Sequence, residues 1–307
     1  MTARCGTSSA RPILRPASSR ILIERRHDRR DHCRVPELPE VEAVRRTLHR
    51  AMRGARIVRV DVRRPDLRRP FPPRFAARLT GQTVTSVDRR GKYLLASLAS
   101  GEALLVHLGM SGSFQITRPR RRVLPDADPH DHVVIELSSG VVVTFNDPRR
   151  FGLMDLVHAA QLNEHQALRA LGPEPLNAAF DAATLARSCA GKRAAIKVVL
   201  LDQRMVAGVG NIYASEALHY AALSPRRRAS AIATSSGAPR DAAVRLVAGI
   251  KAVLRKAVER SQRRVRGDRF LVYEREGEPC PRRGCRGTIR RLTQAGRSTY
   301  FCPTCQR

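Results

Sequence analysis

Four cysteines near the C-terminal end carry the plainest chemistry in the chain. Cys280 and Cys285 form a C-x4-C pair, Cys302 and Cys305 a C-x2-C pair, and the stretch between the pairs has hairpin length. Four thiolates complete a tetrahedral shell for Zn2+, and so short a segment has too few apolar residues to fold around a core of its own. The spacing predicts one structural zinc ion per chain. Arg282, Arg283, Arg286, Arg290, Arg291 and Arg297 surround these cysteines, so the finger is expected to touch phosphate; for any single arginine, ordinary solvated charge is the alternative.

Three further constellations stand upstream. Gly208-Val-Gly-Asn211 runs into Ile-Tyr-Ala-Ser-Glu216, a glycine turn opening a helix whose first backbone N–H groups could hold a phosphate oxygen. With a helix read over Ile196 to Met205, the unit is helix, two turns, helix. Pro36-Glu37 is the second. Inside a chain it is no more than a helix start. At a chain terminus the proline is a secondary amine, and α-amino groups titrate at roughly 7.7 to 8.0, so a useful fraction is neutral and can attack an aldehyde-like carbon. The third is Lys92, the only lysine before residue 192 in a chain that otherwise chooses arginine, which points to ammonium-specific work or to chance survival.

Elements must position these groups. Val41, Val44, Leu48 and Met52 recur at helical spacing over Pro39 to Met52, an amphipathic helix directly after Pro36-Glu37. Short apolar or alternating runs follow at 57–62, 83–87, 93–98, 103–108, 133–137 and 141–145, separated by turn signals such as Ser100-Gly101 and Ser139-Gly140; they predict a β-sandwich. Leu171-Gly-Pro-Glu-Pro175 breaks the pattern as a linker, and Ala-rich stretches at 182–190, 192–204, 212–222 and 240–260 read as helices. The expected fold is α+β and multidomain: a sandwich flanked by helices over 36–170, a helical helix-two-turn-helix domain over 171–270, and a zinc finger over 271–307.

Composition narrows the partner. The 307 residues carry a formal charge of +30, distributed along the whole chain, and neutralising phosphates with many cations releases counterions. Nucleic acid is the expected partner; GC-biased codon usage explains arginine over lysine but not the scarcity of acidic residues. No apolar run of membrane-spanning length is present, and clustered thiols suit a reducing cytoplasm. Residues 1–34 hold nine arginines against three acidic residues and no apolar periodicity, so no folded element is expected there. The segment 1–35 is read as an extension absent from or removed in the working protein. Val35 would be a GTG start codon whose methionine is removed ahead of Pro36, with a transit peptide as the second reading.

Seven ordered motifs now fall into line. PELPEVE (36–42), RRGKYLL (89–95), HLGMSGS (107–113), NDPRRFG (146–152), LGPEPL (171–176), GVGNIYASEAL (208–218) and the terminal finger occur in the order seen in formamidopyrimidine-DNA glycosylases, which the chain resembles from Pro36 to Arg307. The resemblance implies a monomeric base-excision repair glycosylase and abasic-site lyase that acts on damaged double-stranded DNA and carries one structural Zn2+. It implies catalytic roles for Pro36 as imine-forming nucleophile, Glu37 as general acid, Lys92 as proton donor in β-elimination and Arg297 in δ-elimination. Met110, Arg149 and Phe151 would fill the space left by the extruded base, though Met110 and Phe151 also suit a core. His107, His130, Lys192 and Asn211 would contact DNA, and Glu40 would orient the sugar.

Two departures bear on substrate. Only Ser261 to Tyr273 separates the last domain helix from the finger, shorter than the Gly-rich capping loop of members that read 8-oxoguanine. That moves the expectation towards the sister endonuclease VIII group and oxidised pyrimidines, against the purine-type motifs HLGMSGS and DPRRFG. The first zinc pair is C-x4-C, with Arg283 where many relatives place cysteine. From another class, a DNA-binding protein without catalysis is the reading if Pro36 stays internal.

Overall fold

The computed structural model describes residues 20–22, 35–118, 128–263 and 270–307. Helix α1 (Leu38–Met52) opens with Pro39 in its first turn, and its cap is Glu37, whose backbone N–H is bound by the Glu40 carboxylate at 3.0 Å. The buried stripe is the one the periodicity predicts, but it serves two cores. Leu38 packs into the helical core, while Val41, Val44, Leu48 and Met52 pack into the sandwich. One helix thereby fixes the two bodies against each other at its own N-terminus, where Pro36 and Glu37 lie.

The sandwich consists of two antiparallel sheets. One has the order β1 (Arg20–Leu22), β6 (Ser113–Thr117), β8 (Val142–Asn146), β7 (Asp131–Leu137), β2 (Ile57–Val62). The other runs β3 (Val84–Arg90), β4 (Tyr93–Leu98), β5 (Glu102–His107), β9 (Leu153–His158). Alternation along β4 buries Leu94, Ala96 and Leu98, and the cross-strand pair Phe114 and Phe145 meets at 5.1 Å between ring centroids. Helix α2 (Phe75–Leu79) lies against β2.

Beyond the linker come α3 (Ala182–Cys189), α4 (Ile196–Leu201), α5 (Asn211–Tyr220) and α6 (Asp241–Arg263), and then the hairpin of β10 (Arg290–Gln294) and β11 (Arg297–Phe301). Helix α5 is buried nearly all round, as expected of a helix enclosed by others; α6 is amphipathic and supplies Leu246, Ile250 and Leu254 to the same core. Each such leucine contributes about 1.5–3 kcal/mol by leaving water.

The expectation of no folded element in 1–34 is corrected by β1, which pairs Arg20 with Thr117 and Leu22 with Gln115. Three residues are too few for a periodicity to register, and β6 offers a row of backbone N–H and C=O groups that any extended segment can satisfy. Residues 1–19 and 23–34 lie outside the described residues. Strands β6 and β9 do not stand out in the sequence pattern, because each begins directly after a turn motif, HLGMSG for the first and NDPRRFG for the second. Helix α4 ends at Leu201 and not at Met205: Asp202 to Arg204 form a turn held by the Asp202 carboxylate on the Arg204 N–H at 3.0 Å.

Candidate active site and zinc centre

Glu37 is buried, 3% exposed, with its carboxylate set on the N-terminus of α5. The N–H of Ile212 donates to Oε1 at 2.9 Å and that of Tyr213 to Oε2 at 3.3 Å. The helix amides that the sequence offered to a phosphate are therefore occupied by a side-chain carboxylate. The physics is the one expected of a helix N-terminus; the anion is internal. The glycine turn makes this approach possible. A Cβ on Gly210 would stand 2.3 Å from the Glu37 carboxyl carbon, and one on Gly208 would stand 2.8 Å from Leu38. The Leu38 N–H donates to the Gly208 carbonyl at 3.1 Å, which ties α1 to the turn.

Burial raises the Glu37 carboxyl above its ordinary value; the Lys92 cation opposes this, the Glu40 charge adds to it, and the two amides oppose it. Glu40 spans the same region, with Oε1 accepting the Tyr213 hydroxyl at 2.7 Å. Burial, followed by the Glu40 charge, holds the Tyr213 phenol well above the usual range, so it remains a donor.

Lys92 sits at the tip of the β3–β4 hairpin after Gly91 at φ +57°. The tip is held from behind by Glu174 of the linker, which accepts the Gly91 N–H at 2.5 Å and pairs with Arg89 at 2.9 Å and Arg90 at 3.2 Å. Burial lowers the Lys92 ammonium, Glu37 and Glu40 partly restore it, and Arg297 lowers it further. Pro36 is buried beside Glu37 at the same helix end, joined to Val35 through a tertiary amide. Arg297 is exposed, directly after the Ala295-Gly296 turn, both of whose residues have positive φ, +47° and +71°.

A second wall is built from two interlocked loops. Asp147 accepts the Ser111 hydroxyl at 2.5 Å and the Gly152 N–H at 2.7 Å, and the Arg149 N–H donates to Ser111 at 3.2 Å. Gly109, at φ +63°, lies so close that a Cβ would meet the Phe151 carbonyl carbon at 2.3 Å. These contacts hold Met110 in the turn before β6 and leave Phe151 44% exposed, with the Arg149 guanidinium 4.9 Å from its ring centroid. The apolar core alternative for Phe151 is thus not what the structure shows. His107 closes β5, its Nδ1 accepting the Gly109 N–H at 3.0 Å and its ring 4.7 Å from Tyr93. Burial, then the Lys92 and Arg68 cations, pull it down to about 4, so the ring is neutral at physiological pH.

His130 and Lys192 are exposed, the first before β7 and the second in the turn after α3. Asn211 is engaged inside the protein: Oδ1 accepts from Lys197 at 2.7 Å and Nδ2 donates to the Ser298 carbonyl at 3.0 Å.

The Sγ atoms of Cys280, Cys285, Cys302 and Cys305 all lie within 4.8 Å of one another, with 3.7 Å between Cys280 and Cys305 and between Cys285 and Cys302. A tetrahedron with Zn–S bonds of about 2.3 Å requires S···S separations of roughly 3.8 Å, so the donor set fits Zn2+ in chemistry and in size.

Three family models divide the chain: the formamidopyrimidine-DNA glycosylase N-terminal domain over residues 35–154, the helix-two-turn-helix domain of the same enzymes over 171–268, and a zinc finger found in these glycosylases and in isoleucyl-tRNA synthetase over 277–307. A formamidopyrimidine-DNA glycosylase of Azorhizobium caulinodans is 54% identical, with 89% of this chain and 100% of that protein covered. The chain belongs to the formamidopyrimidine-DNA glycosylase family. It is a DNA-repair glycosylase with a structural zinc finger. The Lactococcus lactis glycosylase non-covalently bound to DNA containing an abasic site has a TM-score of 0.76 at 30% identity, covering 88% of this chain and 99% of that one. The same bacterium's glycosylase with FAPY-dG-containing DNA has a TM-score of 0.76 at 29% identity, covering 88% and 100%.

Several residues that hold this glycosylase's site together do not stand out in the sequence. Lys197 is fully buried, and its ammonium donates to Asn211, to the Ser298 carbonyl at 3.0 Å and to the Thr299 hydroxyl at 2.7 Å, joining α4, α5 and the finger hairpin. Burial lowers it to about 7. It is one of only five lysines in the chain, but it lacks the isolation of Lys92 and its place on an apolar helix face hides it. Glu216 collects the N–H groups of Leu271, Val272 and Tyr273 at 2.8–3.0 Å, and Glu174 anchors the Lys92 hairpin; each reads in the sequence as an ordinary helix or linker carboxylate. The close fit at Gly210 gives a direct expectation. Gly210→Ala forces the Glu37 carboxyl off the α5 amides, and single-turnover base release should drop at least about tenfold, the effect of roughly 1.4 kcal/mol of lost positioning.

Proposed function

We propose that this glycosylase excises oxidised purines, formamidopyrimidines above all and 8-oxoguanine with them, and then nicks the strand by β,δ-elimination through an imine on Pro36. The observation that carries the reading is a buried Pro36 beside a buried Glu37 whose carboxyl is raised by burial, with a Lys92 ammonium lowered by burial and close enough to Glu37 and Arg297 to feel both charges. The proline nitrogen, once it is a free secondary amine, adds to C1′ and loses its proton as the N-glycosidic bond breaks and the base leaves; Glu37 gives its proton to the sugar ring oxygen, the C1′–O4′ bond opens, and the nitrogen lone pair completes the iminium. The iminium acidifies the C2′ proton, whose loss expels the 3′ phosphate. A second proton loss expels the 5′ phosphate. Lys92 serves the proton transfers, and Arg297 holds phosphate rather than acting as an acid, since a guanidinium gives up its proton too reluctantly.

An acyl group on the Pro36 nitrogen removes its nucleophilicity, so the working enzyme begins at Pro36, with 1–35 an extension and 36–170, 171–270 and 271–307 its three functional bodies. His107, His130 and Lys192 provide donors along the DNA backbone; Asn211 is better placed to stiffen the helix-two-turn-helix against the finger. Met110, Arg149 and Phe151 enter the vacated stack, with Arg149 donating to the orphaned base. Among the described residues no helix is long and apolar enough to cross a membrane. A monomer acting on chromosomal DNA in the cytoplasm fits a site built wholly within one chain.

The interlocked loops around Asp147 favour purine lesions. The short segment after α6 favours pyrimidines, and residues 264–269 of it lie outside the described residues. Duplexes carrying a formamidopyrimidine or 8-oxoguanine opposite cytosine, or an oxidised pyrimidine opposite its cognate purine, separate the two readings. Formamidopyrimidine should be released fastest; faster release of the pyrimidine would instead place the chain with endonuclease VIII-like specificity.

A further inference from the structure

Helix α5 holds Glu37 at its first turn and Glu216 in its middle, and its last turn carries a buried group that neither the catalytic nor the DNA-binding reading uses. His219 is 3% exposed, with Nε2 3.4 Å from Cys280 Sγ and Nδ1 buried without a hydrogen-bond partner. Two residues beyond Cys280, the Arg282 guanidinium donates to the backbone carbonyls of His219 and Tyr220. We infer that His219 is a positioning residue of the zinc centre, whose Nε2–H donates a hydrogen bond to the Cys280 thiolate and fastens the metal-binding knuckle to α5.

Donors and acceptors decide which tautomer His219 adopts. Four thiolates around Zn2+ leave a net charge of −2 on the sulfurs, in a pocket where Cys280 and Cys302 are buried. Such charge is dispersed by N–H donors, as the Gly287 N–H already does for Cys285 at 3.4 Å. A thiolate can only accept. A neutral imidazole has one donor and one acceptor nitrogen. With the hydrogen on Nε2, the donor is satisfied by sulfur. With it on Nδ1, a buried donor has no acceptor and a lone pair faces the thiolate, which costs more on both counts. Partners of this kind orient a ligand and commonly change metal affinity by 10- to 100-fold. Here the same bond joins the finger to the helix whose other end carries the Glu37 carboxylate.

The test uses the full chain with two substitutions: His219→Phe keeps a ring and removes the donor, and His219→Gln keeps an N–H at similar reach. Zinc loss to excess chelator is followed with a zinc-responsive dye, and the cobalt-loaded proteins are read by their thiolate-to-Co(II) charge-transfer band. His219→Phe should release zinc about 10- to 100-fold faster, with the charge-transfer band displaced to lower energy because the sulfur lone pairs are no longer stabilised. His219→Gln should lie near the parent on both. A Phe variant with the parent's release rate and band overturns the inference. So does faster release in both variants with an unshifted band, which is the mark of packing alone. If the Phe variant takes up no cobalt, the Gln band decides: at the parent position it upholds the bond, and displaced to lower energy it refutes it.

Discussion

Glu37→Gln is expected to lower base excision by about 100- to 10,000-fold, the range spanned by a lost general acid, while binding to a duplex with a tetrahydrofuran abasic analogue persists. The amide oxygen still accepts one α5 N–H, but its NH2 faces the other, leaving a buried donor unmatched at a cost of about 1–3 kcal/mol. The variant should therefore be folded and less stable, with the loss of rate far exceeding the loss of binding. The pH dependence has a definite sign. Burial raises the Glu37 carboxyl, and the acid acts in its protonated form, so single-turnover excision should fall as pH rises through that raised value. In Glu37→Gln that limb should disappear from the profile. Excision at the parent's rate by the Gln variant would remove Glu37 from the chemistry.

Removal of zinc has the second large effect. Structural zinc in finger peptides contributes apparent binding free energies of about 10–16 kcal/mol, more than the four-residue buried cluster of Val272, Ile289 and two cysteines can replace. Stripping the metal, or Cys302→Ser, should abolish nicking of abasic DNA and weaken binding at least about tenfold, since the arginines of the finger lose their fixed positions. The damage should spread inward. Lys197 loses the Ser298 carbonyl and the Thr299 hydroxyl, and Asn211 loses Ser298, all at the helix whose amides hold Glu37. The sandwich has its own core and should keep its β-sheet circular dichroism. Stoichiometric Zn2+ should restore nicking to the stripped parent. Full nicking by protein shown by atomic absorption to be metal-free would contradict this account.

Much of this molecule is legible in its sequence. The α1 stripe, the zinc pairs and six of the strands follow from period and spacing, since they depend on contacts that repeat along the chain. The carboxylate–helix arrangement at Glu37 does not, because its partners Ile212 and Tyr213 are about 175 residues away and offer only backbone N–H groups, which no side-chain pattern announces. For the same reason the sequence suggests an external phosphate at the α5 N-terminus. Sequence shows that a helix end needs an anion, not which anion arrives. Lys197 and Glu216 were passed over because a charged residue on an otherwise apolar face reads as a solvated edge until the neighbouring hairpin covers it. The strand β1 was missed for want of length, and it is β6, far along the chain, that gives it a partner.

The proposed nucleophile is a free Pro36 amine. Borohydride trapping on an abasic-site duplex, with chains beginning at Met1 and at Pro36 compared side by side, tests it most directly. Reduction of the imine should leave a covalent protein–DNA adduct from the Pro36 form, mapped to Pro36 by peptide mass, and none from a Met1 form whose intact mass shows the extension still attached. An adduct formed by the intact Met1 chain, or none formed by either, would contradict it.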